Sequence, residues 1–321
     1  MAQVRFLDAL SQTIREEMRR DPSIFVMGED VRQGVYGVTA GLWQEFGDKR
    51  VLDTPLSETA FMGAAVGAAA VGMRPIVGSL SSFMWVAMDQ FVNQVAKMKY
   101  MFGGQARLPI VYRVGMTYGN NIAAHHSDRP HPLFMNIPGF KIVMPTTPYD
   151  AKGLLRTAIR DDDPVLFFED NSLMGIRGEV PDGDYTIPFG VADIKRPGTD
   201  VTIVALGGMM RRALAAAEQL AQEGISAEVV DPRSLVPLDK QTILDSVAKT
   251  GRLVVVDPAH KTCSAASEIC AMVAQEGFWT LQAPAQRVCS LMVHFPFSPA
   301  LEKHVFPNEE KIIAAVKRTL E

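Results

Sequence analysis

Short apolar runs alternate with stretches of helical periodicity along most of this chain. The runs are "IFVMGED", "VLDT", "RPIVGSL", "LPIVYRV", "FKIVMP" and "PVLFFED". Each is close to continuously apolar, the signature of strands buried on both faces of a parallel sheet. Between them apolar positions recur at helical spacing over 58–71, 86–100 and 149–160, which predicts helices covering that sheet. Residues 175–200, "GIRGEVPDGDYTIPFGVADIKRPGTD", are rich in Gly, Pro and Asp and read as a crossover linker. The pattern then restarts with "VTIVALG", a helix over 209–223, "SAEVVD", a helix over 241–249, "RLVVVD" and a helix over 265–275. The expected fold class is α/β with two doubly wound domains, over 1–176 and 201–321, joined by 177–200.

Length agrees with two domains, since 321 residues exceed one ordinary core. Apolar residues at 47% and charged residues at 21% describe a soluble globular chain. The formal charge of −4 is spread without a basic block, which argues against nucleic acid as a partner. "MAQVRFLDALSQTIREEMRRD" is an amphipathic helix pattern charged throughout, so no signal peptide is expected there. The longest apolar stretch, "AFMGAAVGAAAVGM", is too short for a bilayer, so no membrane partner is expected either. Cys263, Cys270 and Cys289 form no CxxC and read as reduced thiols of a cytoplasmic protein.

Candidate chemistry is sparse. No GxGxxG follows a strand and no GxxxxGK[ST] occurs, which disfavours a nicotinamide dehydrogenase. "VALGGMMRR" opens a helix after a strand and reads either as an anion seat or as a plain tight turn. In "NIAAHHSDRPHPLF" three histidines fall close together: His125, His126 and His131. Adjacent His125 and His126 diverge in a strand or a helix, and no further ligand stands at zinc spacing, so a metal reading is poor. A lone acid–base histidine fares better, because loops at the carboxyl ends of parallel strands face the ligand crevice. A merely solvated loop remains the alternative.

The second candidate is Glu58, which opens a helix whose following turns are nearly all Ala, Gly and Val. Ser57 before it is a suitable N-cap, and helix-start electrostatics alone would favour an acid here. The small-residue helix also suggests close packing against another helix or subunit. Desolvation at such a surface would push a carboxyl up, as acid–base work requires.

Longer segments carry a resemblance. "GEDV…GVTAGLWQEFGDKRVLDTPLSETAFMGAAVGAA", "MDQFVNQVAKMKYMFGG", "HHSD", "PGFKIVMPTTPYDAKGLLRTAIRDDDPVLFFED" and "DPRSLVPLDKQTILDSVAKTGRLVVVD" occur in order over nearly the full length. Together they resemble the beta subunits of thiamine-diphosphate-dependent 2-oxo acid dehydrogenases, a group that includes the pyruvate, branched-chain and acetoin dehydrogenase beta chains. The resemblance implies a transketolase-like pyrimidine-binding domain followed by a transketolase C-terminal domain. The family's "GDG…NN" signature for magnesium and diphosphate is absent, and "PDGDY" is no substitute. The resemblance therefore implies a separate alpha subunit that binds most of the magnesium, in a tetramer of two alpha and two beta chains.

The resemblance also implies roles. Glu58 would hydrogen-bond the aminopyrimidine ring of thiamine diphosphate, and Phe83 would pack on that ring. His126 would act as acid–base near a small 2-oxo acid or acetoin and near the lipoyl group of an acyltransferase core, with His125 and Asp128 on the substrate side. A structural potassium ion would sit on the matching positions Ile110, Ala158, Ile159, Asp161 and Asp163. Several positions depart from the family: His125 and Asp128 each replace Gln, Asp163 replaces Asn, and "SAASE" and "LMVHFPF" replace family segments near the C-terminus. Two alternatives stay open. One is a stand-alone transketolase-like heteromer without a lipoyl partner, and the other a catalytically silent regulatory subunit.

Overall fold

The computed structural model describes residues 2–117 and 119–321. Strands of the first half are β1 (Ala2–Arg5), β2 (Ile24–Gly28), β3 (Val51–Asp53), β4 (Arg74–Leu80), β5 (Val111–Met116), β6 (Lys141–Val143), β7 (Val165–Asp170) and β8 (Arg177–Val180). Those of the second are β9 (Asp193–Arg196), β10 (Val201–Ala205), β11 (Ala227–Asp231), β12 (Ser234–Val236), β13 (Leu253–His260) and β14 (Gln286–Ser290). Two main sheets result, of seven strands ordered β12-β6-β7-β5-β4-β2-β3 and of five ordered β14-β13-β10-β11-β9.

All six apolar runs of the first half are strands of the seven-stranded sheet, and their mutual pairings are parallel. Every residue of β2 and β7 is buried, as continuous apolarity requires of strands covered on both faces. One face carries Phe6–Arg20 and Pro148–Arg160, whose apolar sides meet the sheet in one core. The other face carries Glu58–Ala70 and a helical stretch ending in Ala96–Met101, in a second core around Phe91, Tyr112 and Phe134.

The expected linker 177–200 is partly structure. Its first residues form β8, antiparallel to β1 in a small separate sheet, and β9 pairs with β11 in the second domain. The single helix expected over 86–100 is less regular: a 3₁₀ turn Ser81–Trp85 precedes it, and Gln90–Val95 is wound as a π-helix before the α-helix Ala96–Met101. The halves also interlock. β12 leaves the second domain to pair antiparallel with β6, completing the edge of the first domain's sheet. At "VALGGMMRR" the anion on the helix is the chain's own: Asp170, at the end of β7, accepts from the Gly208 amide (3.0 Å) just before Met209–Gln222. A Cβ at Gly208 would lie 2.5 Å from that carboxylate oxygen, so only glycine allows the approach.

Candidate active site at the carboxyl edge of the first sheet

The carboxyl ends of β2, β4, β5 and β7 open onto one crevice, the position where open α/β sheets bind ligands. Gly28 ends β2 at φ 149°, and a Cβ there would lie 2.6 Å from the Gly78 carbonyl. Glycine thus lets β2 and β4 run close together and turns the next residue, Glu29, into the crevice. Glu29 carries a buried carboxylate oxygen with no hydrogen-bond partner among the described residues. Burial, with the charges of Glu58 and Asp30 nearby, pushes its carboxyl above the ordinary value. Beneath it a cavity of about 70 Å³ reaches the bidentate Arg113–Glu169 pair, whose two hydrogen bonds are both 2.6 Å.

Glu58 is the first residue of the helix Glu58–Ala70 and is 9% exposed. The Ser57 side chain makes no capping bond; its carbonyl receives the amides of Ala60 (2.9 Å) and Phe61 (3.1 Å) instead. Thr59 donates to the Val86 carbonyl (2.8 Å), which lays the start of this helix against the turn Ser81–Trp85 that carries Phe83. Phe83 is half-buried and meets the His126 ring edge-on at 5.4 Å. Phe83 and His126, from distant parts of the sequence, therefore meet, and the Thr59–Val86 bond brings the start of the Glu58 helix alongside them. Glu29 lies within electrostatic reach of Glu58, whose charge helps push its carboxyl up, a link that sequence reading did not single out.

His126 closes a short 3₁₀ turn, Ala124–His126, in the loop after β5. His125 is exposed and His126 half-buried. Asp128 accepts from Trp85 Nε1 (2.9 Å), and its carbonyl accepts from the Ser81 hydroxyl (2.8 Å), so it flanks the Phe83 turn. His131 points elsewhere: it is fully buried, with Nε2 3.0 Å from Asp257 Oδ1 of the second domain. Among the described residues no group of three or more His, Cys, Asp and Glu is placed to hold a metal. Of the five positions that the resemblance links to potassium, two present carbonyls to a fixed cation. Arg74 donates to the carbonyls of Ile159 (3.1 Å) and Asp161 (2.9 Å). The Ala158 carbonyl accepts from Asp161 N (3.3 Å), the Ile110 carbonyl accepts from Val165 N (2.9 Å), and Lys99 and Lys141 pair with the Asp163 carboxylate. Among the described residues no helix is long and apolar enough to cross a membrane.

Residues 2–176 match the transketolase pyrimidine-binding domain, and residues 190–312 match the transketolase C-terminal domain. The chain is 51% identical over 325 residues to the beta subunit of the acetoin:2,6-dichlorophenolindophenol oxidoreductase of Cupriavidus necator, covering 97% of this chain and 96% of that protein. It is 43% identical over 326 residues to the 2-oxoisovalerate dehydrogenase subunit beta of Bacillus subtilis, covering 100% of each. Identity to the pyruvate dehydrogenase E1 component subunit beta of Rickettsia felis is 44% over 319 residues, covering 98% of each. A solved split-gene transketolase, an inactive beta4 tetramer, matches with a TM-score of 0.82 at 24% identity over 99% of both chains, a likeness of fold. With both domains matched and identity sustained over the full length, the chain belongs to the beta subunits of the thiamine-diphosphate-dependent 2-oxo acid and acetoin dehydrogenases, enzymes of transketolase fold.

Proposed function

We propose that this chain is the beta half of a cytoplasmic thiamine-diphosphate-dependent dehydrogenase acting on acetoin, its cofactor site completed by a separate alpha subunit in a tetramer of two alpha and two beta chains. The observation that carries the reading is the meeting of Phe83 and His126 beside the start of the Glu58 helix, with Glu29 within electrostatic reach of Glu58. Thiamine diphosphate, when bound, supplies the electron-withdrawing centre that stabilises a carbanion. Glu58 holds the aminopyrimidine ring and Phe83 packs on it. The orphaned carboxylate oxygen of Glu29 marks a site built for a polar occupant. His126 moves a proton at the substrate, flanked by His125 and Asp128.

Two features support an alpha partner. Tyr36 (62% exposed) lines the crevice, and Leu56 (84%) and Val86 (57%), flanking the start of the Glu58 helix, are also bare to solvent, as interface residues are. The sequence also lacks the "GDG…NN" signature, so magnesium and the diphosphate fall to the partner. Acetoin stands ahead of a 2-oxo acid because the relative named for it is the more similar, 51% identical against 43% and 44%. Acyl transfer to a lipoyl acyltransferase follows in this reading. At the potassium positions Arg74, Lys99 and Lys141 supply the positive charge in place of an ion.

The test is native mass spectrometry of the chain purified from its own cells, with thiamine diphosphate quantified in the same sample. Reduction of 2,6-dichlorophenolindophenol is then followed with acetoin, pyruvate and 2-oxoisovalerate. A four-chain assembly that carries cofactor and reduces the dye with acetoin is expected. A cofactor-free homodimer without turnover overturns the reading and leaves the silent subunit, whereas dye reduction with pyruvate alone overturns only the substrate.

A further inference from the structure

The loop that carries His126 does not hold its own shape. Ala123, directly before the 3₁₀ turn, sits at φ 61°, ψ −166°, a region open to glycine and costly for alanine, and Asn121 is at φ 54°. Such a backbone persists only where its surroundings over-determine it. The surroundings are in the other domain. At the start of the loop the Asn121 amide donates to Glu302 Oε2 (3.3 Å). Past His126, Arg129 is buried and gathers the loop around its guanidinium, donating to the carbonyls of Thr117, Ser127 and Asp128. The same guanidinium lies 5.6 Å from the ring centre of Phe295 and 5.2 Å from that of Phe306. Those two rings are buried and stack on each other at 4.7 Å. At the end of the loop His131 meets Asp257, whose oxygens also accept from the amides of Ala259 (2.8 Å) and Ala266 (3.1 Å).

We infer that the C-terminal domain positions the acid–base histidine: Arg129 and His131 are positioning residues, held by the Phe295–Phe306 stack and by Asp257, and they act on the reaction through His126. The inference rests on the reading of His126 given above. Arg129 suits the task because a planar guanidinium satisfies several carbonyls in its plane while its faces lie on aromatic rings. Glu58 makes none of these contacts, and the turn that carries Phe83 meets the clasp through Asp128, whose carbonyl accepts from both Arg129 and Ser81, so the cofactor content of each variant separates loop placement from cofactor loss.

The experiment is a double-mutant cycle in the alpha–beta complex, with acetoin and dye as the assay. Arg129→Ala and His131→Ala are each made alone and in a His126→Ala background, and the thiamine diphosphate content of every complex is checked. Arg129→Ala is expected to lower kcat by about 10- to 100-fold, the scale of a misplaced catalytic group, with KM little changed. The same change in the His126→Ala background is expected to cost almost nothing further, since its target is gone. Millimolar guanidinium is expected to restore part of the rate to Arg129→Ala alone. Amide exchange over 119–131 should quicken in Arg129→Ala while that over 58–70 stays as it was. Full rate in Arg129→Ala, equal losses in both backgrounds, or unchanged loop exchange each overturn the inference. A quickened loop together with full rate in His126→Ala instead removes the role of His126, and the positioning claim falls with it. If Arg129→Ala fails to assemble, Phe306→Leu, which keeps buried apolar volume but removes the ring, takes its place in the cycle.

Discussion

Three properties of Glu58 suit the role proposed for it: it begins a helix, it is nearly buried, and a second carboxyl, Glu29, lies within electrostatic reach. Glu58→Gln preserves size and hydrogen bonding but removes the charge. Turnover of acetoin is therefore expected to fall by roughly 100-fold or more, the scale of lost acid–base catalysis, while native mass spectrometry shows the same assembly. An assembled variant with normal turnover would take that role from Glu58. The sequence already marks Glu58 and His126 as residues in the right local setting, one opening a small-residue helix and one in a loop after a strand. Glu29 escapes such reading, and His131 is noticed without its role, for one reason. What makes each distinctive is a partner far along the chain, Glu58 for the first and Asp257 for the second. Local pattern also overstates Ser57, whose side chain leaves the helix start uncapped.

At the scale of elements, burial on both faces is what made the central strands legible. β1, β8, β9 and β12 are three or four residues long and at least partly exposed, and their apolar content is too thin to signal a strand; pairing with distant partners defines them. The helix Glu58–Ala70 shows the converse. Its inner side is Phe61, Met62, Ala65, Val66 and Ala69, while its outer side, Ala60, Ala64 and Gly67, is exposed yet equally apolar. A helix apolar all round belongs inside something larger, which agrees with a multichain assembly. The connection from Pro148–Arg160 to β7 carries the element-scale prediction. Because Arg74 holds the carbonyls there, replacing potassium by sodium in the buffer is expected to leave thermal stability and dye reduction unchanged. In Arg74→Ala stability is expected to fall, as loss of a partly buried hydrogen-bonded charge does, and to recover partly with potassium. Wild-type stability that rises with potassium but not with sodium would restore the ion to this site.

For the whole molecule, two-domain organisation could be read from the restart of the apolar pattern, but the interlock could not. Much of it is polar. Burial works to raise the Asp257 carboxyl, but the facing His131 and the amides of Ala259 and Ala266 outweigh it and hold that carboxyl below its ordinary value. A depressed carboxyl contributes stability that is present above its unfolded value and lost as pH falls through the folded one. Wild-type melting temperature is thus expected to drop as pH falls below about 4, and that of Asp257→Asn, which has no such charge to lose, to drop less steeply. Parallel slopes would show that the two domains are not held by this charge.

The strand exchange at β12 has a further meaning for how such a chain can be divided. The polypeptide suggests an obvious place to cut, after β8, yet the piece released upstream would carry Lys141–Val143 as a naked sheet margin with its backbone donors and acceptors unanswered, an invitation to aggregate. The cover for that margin is synthesised later, on the far side of the cut. A ribosome must therefore travel well into the second domain before the first is sealed, and a gene split at the apparent boundary would yield two products that need each other at once.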